Sequence, residues 1–191
     1  MLGPDDRSLL LRLARRGVTL AAHGLPLAPL DVERVPPALA APGSAFVTLT
    51  RFGALRGCIG GLEARRPLIE DVWQHAYAAA REDPRFEPVR PEELETIHIE
   101  VSCLSTPTPL DVAPAALPHA LRPGIDGVIL RRGLHRATFL PQVWEKVPDP
   151  VEFLDMLSDK AGLPRQAWRS GQVEVLVYQT ESFEEAPALS G

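Results

Sequence analysis

The hydrophobic positions of this chain change repeatedly between helical and strand-like spacing. Residues 4–23 place their leucines at helical spacing, with two aspartates near the start, where the helix dipole favours negative charge. Residues 67–84 repeat the pattern and begin with a proline, which suits the first turn of a helix. The segments 141–147 and 150–161 show it over shorter lengths. We therefore predict two long helices and two short ones.

Other stretches alternate hydrophobic and polar residues, as half-buried strands do. Residues 45–60 predict a β-hairpin that turns at Gly53, and residues 124–141 predict a second hairpin. Residues 96–105 alternate along their whole length, and residues 173–179 predict the last strand. Because a hairpin joins neighbouring strands in opposite directions, the sheet should be mostly antiparallel.

Helices and strands alternate irregularly along the chain, which is typical of an α+β fold with helices flanking a mostly antiparallel sheet. The length of 191 residues suits one domain, which we place at residues 1–184. Five prolines make residues 25–43 a connector rather than a strand, with at most one short helix. We expect residues 185–191 to form a loose tail.

The net charge limits the partners that we expect. The chain carries 20 basic and 25 acidic residues, a formal net charge of −5. Nonspecific nucleic-acid binding needs a dense cationic surface to neutralise phosphates. We therefore predict no nucleic-acid partner, although a local basic pocket is compatible with this charge.

The N-terminus and the cysteine content favour a cytoplasmic protein without membrane contact. The first residues contain acid where a secretory signal has its basic region, and no apolar run approaches the roughly 18–20 residues that cross a bilayer. Two cysteines, Cys58 and Cys103, are typical of a reduced chain. The 20 prolines suit stiff loops, as in thermophile proteins.

One stretch, "LRGCIGG" at residues 55–61, has the residues of a reactive-thiol site. In an extended strand, Arg56 and Cys58 would share one face, roughly 6–7 Å apart at about 3.3 Å per residue. A guanidinium at that distance would favour the thiolate form of the cysteine. The three glycines would let a ligand, or another backbone, approach closely.

The same stretch is also compatible with a purely structural role. Cysteine often packs as a small hydrophobic residue, and glycines in strands often mark bulges. A nucleophilic Cys58 usually needs a base, and His98 is the best-placed histidine because it shares a strand face with Glu100. A Cys-His-Glu arrangement forms only if the two strands are neighbours. Otherwise His98, Glu100 and Ser102 are the solvated face of the sheet.

Two further segments carry candidate chemistry. At the helix end, residues 81–88 contain Asp83, Arg85 and Phe86, which could form a polar cap with an aromatic anchor. The simpler interpretation, which we favour, is that the helix ends there and Arg85 pairs with an acid. Gln142 falls in a first helical turn, where exposed N–H groups could bind an anion, unless this is an ordinary helix start.

Several familiar chemistries have no motif in this chain. There is no Walker loop, the glycines of residues 57–61 lack dinucleotide-fingerprint spacing, and no HxH or HExxH spacing occurs. Two distant cysteines cannot supply an iron–sulfur cluster or a thiolate-rich zinc site. We therefore predict no cofactor and no metal, with a site made of histidines and carboxylates as the alternative.

Four blocks of the chain occur in a fixed order: "FVTLTRFGALRGCIGG", "DPRFEPV", "ELETIHIEVSCLS" and "ATFLPQVWEK". From about residue 7 to residue 183 the chain resembles the AmmeMemoRadiSam system protein A family, which includes the product of the AMME-syndrome candidate gene. The resemblance implies an α+β fold with a larger and a smaller lobe and a cleft between them. No biochemical activity is established for that family. Its prokaryotic members are associated with a Memo-like protein and a radical-SAM protein.

The resemblance also ranks the candidate site residues. The leading candidates match the family's signature: Arg56, Gly57, Cys58, Ile59 and Gly60. Residues that match other family blocks come second: Asp83, Arg85, Phe86, Glu100, Pro141 and Gln142. Relatives often have a cysteine where this chain has Ser158, so a second thiol role does not apply here.

Two functional hypotheses follow from these residues. In the first, the protein is a binding or accessory component that acts with the Memo-like and radical-SAM proteins and holds a peptide or small ligand. In the second, it is an enzyme in which Cys58 is a nucleophile or carrier thiol. Arg56 would then tune the thiol or bind an anionic substrate, and Glu100 would act as acid or base.

Overall fold

Five α-helices lie within residues 2–30 and 35–186, which the computed structural model describes. Both predicted long helices are confirmed, and the predicted helix at 141–147 is a 3₁₀ helix. The α-helices are α1 (Pro4–Ala22), α2 (Pro37–Ala40), α3 (Leu68–Arg81), α4 (Leu117–Ala120) and α5 (Pro150–Lys160). The 3₁₀ helices are Pro91–Glu93, Pro114–Ala116, Pro141–Glu145 and Ala167–Ser170.

The same residues contain nine strands, and both predicted hairpins are among them. The strands are β1 (Pro42–Arg51), β2 (Ala54–Gly60), β3 (Arg66–Pro67), β4 (Ile97–Leu104), β5 (Thr108–Pro109), β6 (Gly127–Arg132), β7 (His135–Phe139), β8 (Glu174–Tyr178) and β9 (Thr180–Glu184).

Two strand boundaries differ from the sequence-based predictions. β1 begins three residues before the predicted hairpin, because Pro42 and Gly43 pair with the short strand β3. The strand predicted to be last is followed by β9, which pairs with β4. Residues 31–34 of the predicted connector and residues 187–191 of the predicted tail lie outside the described residues. Glu185 is described, and its backbone N–H donates to the carbonyl of Ile99 at 3.0 Å.

The chain divides into two compact units. The first comprises the residues up to Leu104 together with those from Glu181, and the second comprises Ser105–Thr180. Each unit has its own antiparallel sheet, so the predicted α+β class is confirmed. Within residues 2–30 and 35–186, no helix is long and apolar enough to cross a membrane.

The first unit is a five-stranded sheet with α1 and α3 packed on one face. The strand order is β2-β1-β4-β9, and β3 pairs with the start of β1. The alternation predicted for residues 96–105 is confirmed, because one set of β4 side chains is buried in the core: Ile97, Ile99, Val101 and Cys103. His98 and Glu100, on the other face, are only half-buried, whereas Ser102 on that face is buried and so is not solvated as expected.

The second unit is a four-stranded sheet with its own apolar core. The strand order is β5-β8-β6-β7. Trp144 stacks on Phe153 with ring centroids 3.7 Å apart, and Trp168 and Tyr178 are fully buried. Burial raises the pKa of Tyr178 to about 12.

β2 and α3 are in close contact at Gly57. A Cβ atom at this position would lie 2.2 Å from the carbonyl oxygen of Ala79, on α3. No real side chain tolerates that distance, so β2 can pack against the helix backbone only because residue 57 is glycine.

We expect Gly57→Ala to destabilise the protein by about 1–3 kcal/mol or more, since the added methyl group overpacks this contact. Chemical denaturation followed by circular dichroism measures the change. Gly61→Ala is the matched control, because its Cβ would lie 3.6 Å from the His75 ring, an ordinary contact. Equal stabilities of the two variants would contradict the packing described here.

Candidate functional site

Arg56 is the extra residue of a β-bulge in β2. Leu49 of β1 pairs with Gly57 and Thr50 pairs with Leu55, so Arg56 has no partner in the register. A bulge interrupts the alternation of side chains along a strand. The guanidinium binds Glu93 instead, with Nε 2.9 Å from Oε1 and Nη2 2.9 Å from Oε2. The predicted pairing of Arg56 with the Cys58 thiol is therefore not formed.

Glu93 is the centre of a clamp between β2 and the 3₁₀ helix Pro91–Glu93. Besides Arg56, its carboxylate accepts hydrogen bonds from Nη1 of Arg51 at 3.1 Å and from the backbone N–H of Arg90 at 2.8 Å. The hydrogen bond from Arg56 is the main reason that the pKa of Glu93 falls to about 2. Nη1 of Arg56 also donates to the carbonyl of Glu87 at 2.9 Å.

A second acidic residue, Asp83, holds the backbone of Cys58. Its Oδ2 accepts the N–H of Cys58 at 2.8 Å, and Nη2 of Arg85 donates to the Cys58 carbonyl at 3.3 Å. Asp83 and Arg85 are themselves paired, with Nη2 2.7 Å from Oδ2. The hydrogen bond from Arg85 holds the pKa of the buried Asp83 far below its ordinary range. Because β2 is an edge strand, this pair occupies the place of a further strand.

The Cys58 side chain lies beside Thr48 on the sheet face opposite α1 and α3. The backbone groups of Cys58 point away from β1, so Thr48 and Cys58 form a closely spaced, non-hydrogen-bonded pair. Oγ1 of Thr48 is 3.4 Å from Sγ of Cys58. Cys58 is half-buried. Thr48 is not among the predicted site residues, since only the register of the strands reveals it.

Glu100 lies in the same row of side chains. Thr48 pairs with Cys58 on one side and with Glu100 on the other. Two strand spacings put the Cα atoms of Cys58 and Glu100 about 9–10 Å apart. Oε1 of Glu100 accepts a hydrogen bond from Ser102 at 3.1 Å, and Ser102 lies 2.8 Å from Ser182 of β9.

The Cys-His-Glu arrangement is not formed. It requires β2 and β4 to be neighbours, but β1 lies between them. Nε2 of His98 is 3.1 Å from a carboxylate oxygen of Glu184 on β9. His98 therefore belongs to the polar face of the sheet, which was the alternative interpretation.

The Phe86 ring is close to two arginines, Arg56 of the Glu93 clamp and Arg85 of the Asp83 pair. Its ring centroid is 5.5 Å from Cζ of Arg85 and 6.0 Å from Cζ of Arg56, within cation–π range. The expected pairing of Arg85 with an acid is present, since Arg85 binds Asp83. The structure thus brings five predicted site residues into one connected set: Arg56, Cys58, Asp83, Arg85 and Phe86.

The remaining candidates have other surroundings. Ile59 packs against the core of the first unit, on the opposite side of β2 from Cys58. A Cβ at Gly60 would lie 2.4 Å from the Phe46 ring, so this glycine makes room for a side chain of the protein itself. Gln142 is exposed in the second unit, at the start of the 3₁₀ helix that follows Leu140. Its role in binding an anion stays a prediction.

The second thiol differs from Cys58 in its exposure. Cys103 is buried in the first core, and burial raises its pKa to about 12, so it is unreactive in the folded protein. Among residues 2–30 and 35–186, no three histidine, cysteine, aspartate or glutamate side chains are gathered in a way that could hold a metal ion.

Glu93 and a pair on α3, Asp71 and His75, are also absent from the predicted site residues. Glu93 follows Arg90 at the spacing of a capping box, and its carboxylate indeed accepts the N–H of Arg90. The spacing of Asp71 and His75, four residues apart, places them on one helix face. Both signals are present in the sequence but occur widely at helix ends and on helix surfaces.

These features define an α+β protein in which an edge strand carries a half-buried cysteine between two acid–arginine clamps. The AMMECR1 family model matches residues 11–183, so the chain belongs to the AMMECR1 family. A protein from Methanothermobacter thermautotrophicus is 40% identical over 186 residues, which is 96% of each chain. A protein from Thermococcus gammatolerans is 40% identical and covers 92% of this chain and 88% of its own.

A solved structure has the same fold. The crystal structure of the uncharacterized protein PH0010 from Pyrococcus horikoshii matches with a TM-score of 0.84 and 35% sequence identity. The match covers 96% of this chain and 93% of that chain. The resemblance noted from the sequence is therefore confirmed at the level of the family.

We expect Glu93→Gln to lower the free energy of unfolding by about 2 kcal/mol at pH 7, because Arg56 loses a charged partner. The carboxylate has a folded-state pKa of about 2, below its ordinary 4.5. Its stabilisation is therefore complete above pH 4.5 and is lost as the pH falls towards 2.

Urea denaturation of both proteins across this pH range tests the prediction. The difference in stability should shrink as the pH falls. Glu92→Gln, an exposed neighbour, is the control and should change stability by less than about 0.5 kcal/mol. A difference that stays constant with pH would contradict the role given to Glu93.

Proposed function

We propose that this AMMECR1-family chain is a binding or accessory protein. Its ligand or partner would contact the sheet face that carries Cys58, Thr48 and Glu100, called here the cysteine face. The observation that carries the proposal is that the charged side chains near Cys58 bind other groups of the protein. Arg56 is held by Glu93, and Asp83 and Arg85 bind the Cys58 backbone. These charges fix the shape of the face.

A fixed shape favours binding, because less conformational freedom is lost when the complex forms. The polar groups of the face are also held in place, since Glu100, Ser102 and Ser182 are hydrogen-bonded in a row. Among the described residues, no histidine forms a hydrogen bond with Cys58, whose sulfur has the Thr48 hydroxyl and the Arg85 guanidinium as polar neighbours. A base for nucleophilic catalysis is therefore not part of this arrangement.

The proposed partners are a Memo-like protein and a radical-SAM protein, and this part rests on the family resemblance alone. The chain has only two cysteines. A radical-SAM reaction depends on an iron–sulfur cluster, which needs more thiolates than this chain supplies. In the proposed division of labour, the partner holds the cluster and this chain contributes the cysteine face.

The second candidate function is cysteine-dependent catalysis, and one observation favours it. Cys58 is half-buried rather than sealed, and Arg85 lies at its carbonyl. Cys58 would then act as the nucleophile or carrier thiol. Glu100, about 9–10 Å away across Thr48, would serve as acid or base for a substrate lying between them.

Alkylation by iodoacetamide separates the two functions. Cys103 is a poor reference thiol, because its burial alone makes it slow. The rate at Cys58, followed by mass spectrometry between about pH 6 and pH 8, should be compared with that of N-acetylcysteine. A binding protein should react no faster than this free thiol. Faster alkylation of Cys58, most of all at the acidic end, would contradict the proposal and favour catalysis.

Binding of the purified Memo-like and radical-SAM proteins from the same organism, measured by calorimetry, tests the face and the partners. Cys58→Ser should keep the affinity, since the thiol is not required to react. Glu100→Arg should weaken it about tenfold or more, because a long cation replaces a carboxylate in the middle of the face. If neither protein binds the wild-type chain, the partner assignment is wrong.

A further inference from the structure

A groove of about 580 Å³ runs along α3 in the first unit. Its walls are the outer side of α3, the segment 27–30 and Ile59 of β2. Ile59 is the next residue after Cys58, and successive side chains of a strand point to opposite faces. The groove therefore opens on the other side of β2 from the cysteine face. Its volume lies in the range of small-molecule sites.

The wall formed by segment 27–30 is attached to α3 by two aromatic residues. Nε1 of Trp73 donates to the carbonyl of Ala28 at 3.0 Å, and the hydroxyl of Tyr77 donates to the carbonyl of Leu25 at 3.1 Å. These hydrogen bonds fix the width of the groove. The apolar part of the wall comes from Leu27, Leu30 and Ile59.

Three polar side chains of the groove have no partner in the described part of the chain. Glu70, Gln74 and Glu82 lie at intervals of four and eight residues, so they follow one ridge of the helix. None of them forms a hydrogen bond or ion pair with residues 2–30 or 35–186. Carboxylates without partners at a concave surface are available to a ligand that carries hydrogen-bond donors.

The half-buried His75, paired with Asp71, adds an acceptor at the middle of the groove. Asp71 is buried and accepts the N–H of Ala45 at 2.9 Å. Its Oδ2 also lies 3.1 Å from Nδ1 of His75, a buried nitrogen that has no aligned hydrogen bond. A neutral ring with its proton on Nδ1 has Nε2 as its acceptor, and His75 lines the groove.

The charges of the groove favour a cation. Among the described lining residues, Glu70 and Glu82 contribute two carboxylates, and Arg66, whose Nε lies 3.6 Å from the buried Asp71, contributes one guanidinium. Glu70 and Glu82 are about 18 Å apart along the helix at about 1.5 Å per residue, so one compact cation cannot reach both. A ligand that satisfies both needs two or more positive groups on an extended chain.

We propose that this groove binds a linear aliphatic polyamine. Terminal ammonium groups would pair with Glu70 and Glu82, and an inner amine would donate to Nε2 of His75. The methylene segments would lie against the apolar wall. The proposal does not depend on the function assigned to the cysteine face.

Calorimetric titration with spermine, a linear tetra-amine, in about 150 mM salt tests the proposal under conditions that screen weak surface attraction. The double variant E70Q/E82Q should lose about tenfold or more in affinity, since both charge-assisted contacts are removed. The double variant E92Q/E95Q is the matched control. It changes the net charge by the same amount at two exposed residues outside the groove and should change the affinity by less than about twofold.

Two further measurements complete the test. The diamine 1,4-diaminobutane should bind about tenfold more weakly than spermine, because it reaches only one carboxylate. The Nε2 resonance of His75 should shift on adding spermine, and Cys58→Ser should bind spermine like the wild type. Equal losses in both double variants would mean nonspecific attraction, and tighter binding of tetralysine than of spermine would mean a peptide site. Either result, or no binding of spermine, overturns the proposal.

Discussion

The hydrogen bond from the Cys58 N–H to the Asp83 carboxylate is the contact on which the rest of the site depends. It closes the open edge of β2, where a backbone donor would otherwise be available to another chain. A buried carboxylate is costly unless it is paired, and Arg85 supplies the pairing from the solvent side. The N–H, the carboxylate and the guanidinium therefore form one unit, in which removing any member leaves another without its partner.

Most residues of the segment "LRGCIG" anchor the strand or allow it to pack against the rest of the first unit. Arg56 leaves the strand pattern at a bulge and anchors the segment to Glu93. Gly57 admits the backbone of α3, and Gly60 admits the Phe46 ring. Ile59 faces the first core. Apart from the exposed Leu55, Cys58 is the remaining residue, and its side chain lies on the opposite face beside Thr48.

Local periodicity explains which parts of this structure could be predicted from the sequence. The two faces of β4 follow directly from strict alternation, and α1 and α3 follow from helical spacing. The orientation of Arg56 could not be predicted, because a bulge is set by pairing with a distant strand. The order β2-β1-β4, which separates Cys58 from His98, is likewise a long-range property. The pairing of Arg85 with an acid could be predicted because Asp83 is only two residues away.

The groove and the cysteine face lie on opposite sides of β2, and both involve residues at the end of α3. Glu82 lines the groove, and the next residue, Asp83, holds the backbone at Cys58 on the other side. Ile59 and Cys58 divide in the same way between groove and cysteine face. Shared support is not by itself coupling between sites, which requires an element with two arrangements that both ligands bias. It does mean that loosening Asp83 disturbs both faces at once, whereas changing the side chain of Glu82 or Cys58 acts on one face only.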